Sequence, residues 1–220
     1  VGTLGVGAWL VRDRTSASGN GSGAQIKAIA VLPLKSLSKD VEDYLADGMT
    51  EELIIEVGQL QDLRVISRTT MMRYKDTQKT LPEIARELKV DFLLEGSVER
   101  SQGRILIHAL LFDAGEDRQL WSESYEKDLS DVLAVQSDAA RAIVAEIKVR
   151  LSPEEGKRLA RVREVDPEAY DAYLKGRYYW AKFTPEDYQT AIEFFEKAIE
   201  KDPTYAPAYA GLSHAYRALA

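Results

Sequence analysis

The sequence predicts a mixed-sheet α/β domain, of α+β or α/β type, followed by an all-α helical-repeat segment. Three observations predict it. Residues 26–151 alternate β-branched apolar runs with helical apolar periodicity in the order β-α-β-α-β-β-β-α, which calls for helices packed on a mixed sheet. From Asp166 onward the strand signal stops, and Asp166-Pro167 and Asp202-Pro203 each open a helix with Asp as cap and Pro in the first turn. Between them, small Ala191 and Ala198 flank Phe195, so two helices can approach closely with a ring filling the gap.

The elements follow in order. Residues 1–11 (VGTLGVGAWLV) are uncharged and mostly apolar, and Arg12, Asp13 and Arg14 stop the run. Eleven residues fall short of the roughly 20 that a bilayer requires, so residues 1–14 are read as the end of a transmembrane helix. Residues 15–25, rich in Gly and Ser, read as a flexible linker. Residues 26–33 (IKAIAVLP) read as a buried strand ended by Pro33. Tyr44, Leu45, Met49, Leu53, Ile54, Val57 and Leu60 recur at helical spacing over 41–60, with Asp47-Gly48 as an interruption after the first turn. Leu63 to Ser67 reads as a second strand, followed by a polar loop. Thr80 and Glu83 form a capping-box pattern with Pro82 in the first turn of a helix running to Leu88. Residues 92–100, 105–112 and 118–125 read as three strands, joined by a tight link at 101–104 and a looser one at 113–117. A long helix over 129–151 completes the domain of residues 26–151. Ser152 and Glu155 make a second capping box, opening a connecting helix within 152–165.

Composition excludes several classes of function. Net charge is -7, with neither 1–151 nor 152–220 basic. Phosphate backbones are held by clustered Lys and Arg, so nucleic acid is not an expected partner. There is no cysteine, which excludes disulfides, thiolate chemistry and Cys-based metal sites. His108 and His214 are far apart and no HExxH spacing exists. Neither a G-x-S-x-G elbow nor a phosphate-binding GxxxxGK[ST] loop occurs. Asp113, Glu116 and Asp117 lack the spacing of a calcium loop and fit a hairpin turn better. No cofactor, metal or catalytic residue is therefore expected, and the chain reads as non-enzymatic.

The segment 166–220 closely resembles tetratricopeptide repeats. Tyr173, Gly176 and Tyr179 fall on a first helix, and Ala191, Phe195, Ala198 and Pro203 match a second helix with its closing proline. The turn between them is enlarged around Phe183-Thr184-Pro185. A second repeat starts at Ala206, with Tyr209, Leu212 and Tyr216 in place and Ser213 where Gly or Ala is common. Residues 166–220 thus hold one complete repeat and the first helix of another. Such repeats stack and commonly bind a polypeptide in their groove.

Residues 26–150 resemble the TolB-like or FlgO-like domain of bacterial envelope and signalling proteins. The resemblance lies in Ile29-Ala-Val-Leu-Pro33, Ala46-Asp-Gly-Met-Thr-Glu-Glu-Leu53, Leu63-Arg-Val-Ile-Ser-Arg-Thr69, Leu81-Pro-Glu-Ile-Ala-Arg86, Leu94-Glu-Gly-Ser-Val98 and Leu120-Trp-Ser-Glu-Ser-Tyr125. It implies an anticodon-binding-like α/β fold. It also implies a place between a transmembrane helix and tetratricopeptide repeats, in proteins whose effector across the membrane is a cyclase, a kinase or a winged-helix regulator.

Two sets of candidate contact residues follow. Tyr173, Tyr178, Trp180, Tyr209 and Tyr216 are candidate protein-binding anchors, since Tyr and Trp are enriched at interface hot spots. Arg68, Arg73 and Tyr74, on the polar stretch after the second strand, are candidate ligand or anion contacts. The first reading of function is a non-catalytic protein-interaction and signal-input module of a membrane-anchored bacterial regulatory or envelope protein. Its partners would be a polypeptide in the repeat groove and the membrane at the apolar start. The alternative is a small-molecule sensor regulating a fused cyclase, kinase or winged-helix regulator; a cavity lined by Arg68, Arg73 or Tyr74 would favour it. The expected location is inner-membrane anchored with the soluble part periplasmic; Arg12 and Arg14 mildly favour the cytoplasmic side instead.

Overall fold

The structure is a computed structural model that describes residues 26–37, 43–101, 104–128, 131–147, 151–160 and 165–219. The expected membrane segment, the Gly/Ser linker and the hairpin link at 102–103 lie outside the described residues. Strands β1 (Lys27–Val31), β2 (Lys35–Ser36), β3 (Leu63–Val65), β4 (Phe92–Ser101), β5 (Arg104–Asp113) and β6 (Arg118–Asp128) build one mixed sheet. Its order is β3-β1-β4-β5-β6, with β2 pairing β4. β1 runs parallel to β3 and β4, while β4, β5 and β6 form an antiparallel meander. The parallel β1–β3 pair needs a crossover, and α1 (Asp43–Gly58) supplies it.

β1 is buried from Ala28 to Val31 because strands flank it on both sides and helices cover it. β5 instead alternates, burying Ile105, Ile107, Ala109 and Leu111. β6 is one of the two edge strands, and its charged side chains suit a strand that must not recruit another. Trp121 and Tyr125 on it are half-buried against the core, beside α4 (Val132–Ile147). His108 on β5 is half-buried, with Nδ1 2.7 Å from Ser124 Oγ, which is a cross-strand pair.

Three local features differ from the sequence reading. α1 passes through Asp47-Gly48 without a break. The Asp-Gly pair is normally a turn signal, but here both residues are buried, where helical hydrogen bonding satisfies their backbone. Burial also extends around α1 instead of along one face, because the sheet lies on one side and α6 (Pro167–Trp180) on another. The polar stretch after β3 is not a loop: α2 (Arg68–Met71) starts there with Ser67 as cap and runs into a 3-10 turn over Met72–Tyr74.

α3 (Leu81–Leu88) opens at Thr80, whose N–H donates to Glu83 at 2.8 Å, and closes at Lys89 in the left-handed conformation (φ 52°). α5 (Pro153–Leu159) carries the second capping box, with Ser152 N–H donating to Glu155 at 2.7 Å. Glu155 also accepts from Gln61 N–H at 2.9 Å, and these bonds hold its carboxyl below the usual range.

α6, α7 (Pro185–Lys201) and α8 (Ala206–Leu219) pack in succession. Phe195 of α7 is wholly buried between Gly176 of α6 and Gly211 of α8. A methyl group added at Gly176 would lie 2.6 Å from the ring, and one at Gly211 2.5 Å from it. The small residue of α8 against the ring is therefore Gly211, while Ser213 is exposed. The enlarged turn between α6 and α7 includes Phe183 in the left-handed region (φ 61°). No helix among the described residues is long and apolar enough to cross a membrane.

Candidate functional site at the junction of sheet and helices

α1 packs on the sheet and also carries α6, so it joins the two parts of the chain. Gly48 permits this contact: a methyl group there would lie 2.7 Å from Leu174 of α6. The acids Asp43, Asp47 and Glu51 are spaced four residues apart on α1 and so share one face. Each meets a cation. Lys75 Nζ lies 2.9 Å from Asp47 and 3.5 Å from Asp43. Arg68 Nε lies 3.3 Å from Glu51, and Arg177 of α6 bonds the same carboxylate from the other side. Glu52 accepts a 3.0 Å hydrogen bond from the Tyr173 hydroxyl of α6, and Tyr44 donates to Asp171 at 2.6 Å.

Burial shifts these groups. For Lys75, burial alone would lower the pKa, but the hydrogen bond and charge of Asp47, with the charge of Asp43, outweigh it and raise the value. For Arg177, burial is likewise overcome by Glu51, Tyr173 and Glu52. Glu52 is raised: burial dominates, Tyr173 and Arg177 oppose it, and Glu51 and Glu56 add to it.

A raised carboxyl means that the folded chain holds a proton more tightly than the unfolded chain. Stability from Glu52 is thus present below its ordinary value and is lost as pH rises through its raised one. Glu52→Gln, whose amide oxygen can still accept from Tyr173, is expected to raise the urea midpoint at neutral pH. It should also flatten the pH dependence in the window between those two values. An unchanged profile would show that Glu52 is not the titrating group.

Beyond the carboxyl end of β1 lies a cleft of about 380 Å³. Leu34, Ile84 and Leu81 form apolar walls; Tyr74, Lys75 and Lys79 bring polar groups from the segment after α2, Lys79 being paired with Glu87 at 2.7 Å, and Lys35 faces the acids Asp43, Asp76 and Glu95 in the same lining. Open α/β sheets bind ligands at the carboxyl ends of their strands. Lys75 both lines this cleft and pairs with Asp47, so one side chain touches the cavity and the junction.

The predicted residues divide. Tyr74 lines the cleft, with Lys79 Nζ 5.7 Å from its ring centroid. Arg68 points to Glu51 instead, and Arg73 is exposed and not part of the lining. Tyr173 is corrected: it is 3% exposed, packed against Tyr170, Phe195 and Tyr205, so it is a core residue and cannot anchor a partner. Tyr178 and Trp180 are half-buried, the first against Tyr179 and the second between Arg177 and Phe183. Tyr209 and Tyr216 are exposed, with hydroxyls donating to Pro203 O at 3.0 Å and Glu196 at 3.1 Å. Sequence reasoning missed Asp47, Glu51 and Arg177, and placed Lys75 only within the polar, mildly basic stretch after the second strand. The four-residue spacing of Asp43, Asp47 and Glu51 was the available signal. No group of His, Asp and Glu among the described residues is arranged to hold a metal.

The chain therefore presents a mixed α/β domain, with a cleft at its sheet, fastened to a helical segment. No protein-family model matches it. It is 37% identical over 187 residues to a protein named Putative adenylate cyclase 3 from Rhizobium meliloti (strain 1021). That match covers 84% of this chain and 32% of the relative, so the chain spans about a third of the relative's length. Among solved structures it is similar to TolB from Acinetobacter baumannii (12% identity, TM-score 0.42, 56% of this chain and 28% of that one). It is also similar to lipoprotein GNA1162 from Neisseria meningitidis (18%, TM-score 0.40, 57% and 99%) and to the LpoB C-terminal domain from Escherichia coli (15%, TM-score 0.38, 47% and 84%). These structural likenesses are partial.

The sequence relative corrects two expectations. The reading of a non-catalytic interaction module, and with it of a non-enzymatic protein, is overturned by a 37% identical relative named as a cyclase. About two thirds of the relative lies outside the match.

Proposed function

We propose that the chain is the sensory and regulatory part of an adenylate cyclase. In this reading a small molecule bound in the cleft beyond β1 sets the state of the helical segment and, through it, the rate of cyclic AMP formation. The relationship to a named cyclase across 187 residues carries the reading, because the matched length is too great to fit within either the sheet domain or the helical segment alone. The polar junction on α1 supports it, since it gives the sheet domain a direct hold on α6. α6 and α7 are read as one tetratricopeptide repeat and α8 as the first helix of the next, with Phe195 as the interlocking ring. Residues 26–151 are read as a TolB-like domain, and residues 1–14 as the end of a membrane helix that holds it at the periplasmic face of the inner membrane. Exposed Tyr209 and Tyr216 are the proposed anchors for a polypeptide partner.

The test is ATP turnover by the whole protein. Cyclic AMP should form, and Tyr74→Trp, which fills the cleft, should change its rate. A whole protein that folds yet makes no cyclic AMP would overturn the cyclase reading. A rate indifferent to Tyr74→Trp would overturn the role of the cleft.

A further inference from the structure

The cleft and α6 share no lining residue, yet both are tied to α1 by ion pairs. Asp47 is 7% exposed and Glu51 8% exposed, so each carboxylate depends on its cations. Lys75 serves Asp47 from the cleft side, and Arg177 serves Glu51 from α6. Arg68 stands between them: it pairs with Glu51 at 3.3 Å, and where burial raises the Asp47 carboxyl, Lys75 first and then the charge of Arg68 oppose the rise. Four residues of helix separate the two acids by about 6 Å along the axis, within the sweep of one arginine side chain.

We propose that these groups form a relay: an anionic ligand group in the cleft captures Lys75, Arg68 turns from Glu51 to Asp47, and Glu51 then binds Arg177 alone. The relay rests on the cleft being the sensing site, and it specifies the ligand chemistry as a carboxylate or phosphate. Asp43 does not substitute for the buried acids, because its side chain is 60% exposed and water solvates it when Lys75 leaves. The consequence is a firmer α1–α6 junction when the cleft is filled, since the Glu51 carboxylate is no longer shared.

Lys75→Met removes the cation as capture would, so the relay can be tested in the full chain without the ligand. The readout is the opening equilibrium of α6 amides by hydrogen exchange, in a double-mutant cycle of Lys75→Met with Arg177→Met. Arg177→Met is expected to promote opening roughly fivefold more in the Lys75→Met background than in the parent. This excess should vanish when Arg68→Met is added. Lys75→Gln provides a second variant should Lys75→Met not fold: it also removes the cation, so the same roughly fivefold excess for Arg177→Met is expected. Additive effects, or an excess that persists without Arg68, would overturn the relay. Neither outcome touches the cyclase reading, which stands or falls on cyclic AMP formation and on Tyr74→Trp.

Discussion

Phe195→Ala is expected to cost about 3–5 kcal/mol, the largest loss from a single side chain in the helical segment. The ring is wholly buried and lies against α6 and α8 at once. Gly176 and Gly211 admit it only because they lack a side chain, and Tyr173 packs beside it with ring centroids 6.1 Å apart. Removal leaves a cavity that three helices border. None can close it freely, since α6 is held on α1 by Leu174 against Gly48 and by the Tyr173–Glu52 hydrogen bond. Urea unfolding of the full chain followed by circular dichroism measures the loss. A cost under about 1 kcal/mol would mean that the helices are not interlocked through this ring.

Glu51→Ala comes next, at roughly 3–5 kcal/mol, because it strands two partly buried cations. The side chains of Arg68 and Arg177 are 22% and 19% exposed, and both point at this one carboxylate. Coulomb attraction offsets the cost of taking all three groups from water only while the acid is present. Glu51→Gln keeps an acceptor but not the charge, so it should fall between alanine and the parent. Arg177→Met combined with Glu51→Ala should cost less than the sum of the two single changes, as groups in one network are not additive. Chemical denaturation of the four chains decides this, and strict additivity would show that the network is not one unit.

Much of the fold was legible because its signals are local. Thr80 with Glu83 and Ser152 with Glu155 announce their helices through bonds spanning three residues. Asp166-Pro167 opens α6 as read, with Asp166 accepting from the N–H groups of Glu168 and Ala169 at 2.8 and 3.0 Å. β4 and β5 were legible through their apolar alternation and the short link between them. The two-residue β2 was not, since only its parallel pairing with Ser97 and Val98 makes it a strand. α2 was missed for a different reason: Ser67 caps a helix of only four residues, too short to show periodicity.

The candidate site was less legible. Tyr74 was singled out and lines the cleft, but Arg68 in the same stretch belongs to Glu51 and Tyr173 to the core. From sequence alone came the order of the elements, the caps that start them and the ring-and-small-residue pattern around Phe195. Those depend on neighbours a few positions apart, whose geometry the backbone period sets. The tertiary structure alone decided that α6 lies on α1. That contact puts Tyr173 on Glu52, 121 residues away, and Arg177 on Glu51, 126 residues away. Such pairs form only when distant helices stack, so which tyrosine is buried and which acid is shared depends on packing that no local pattern encodes.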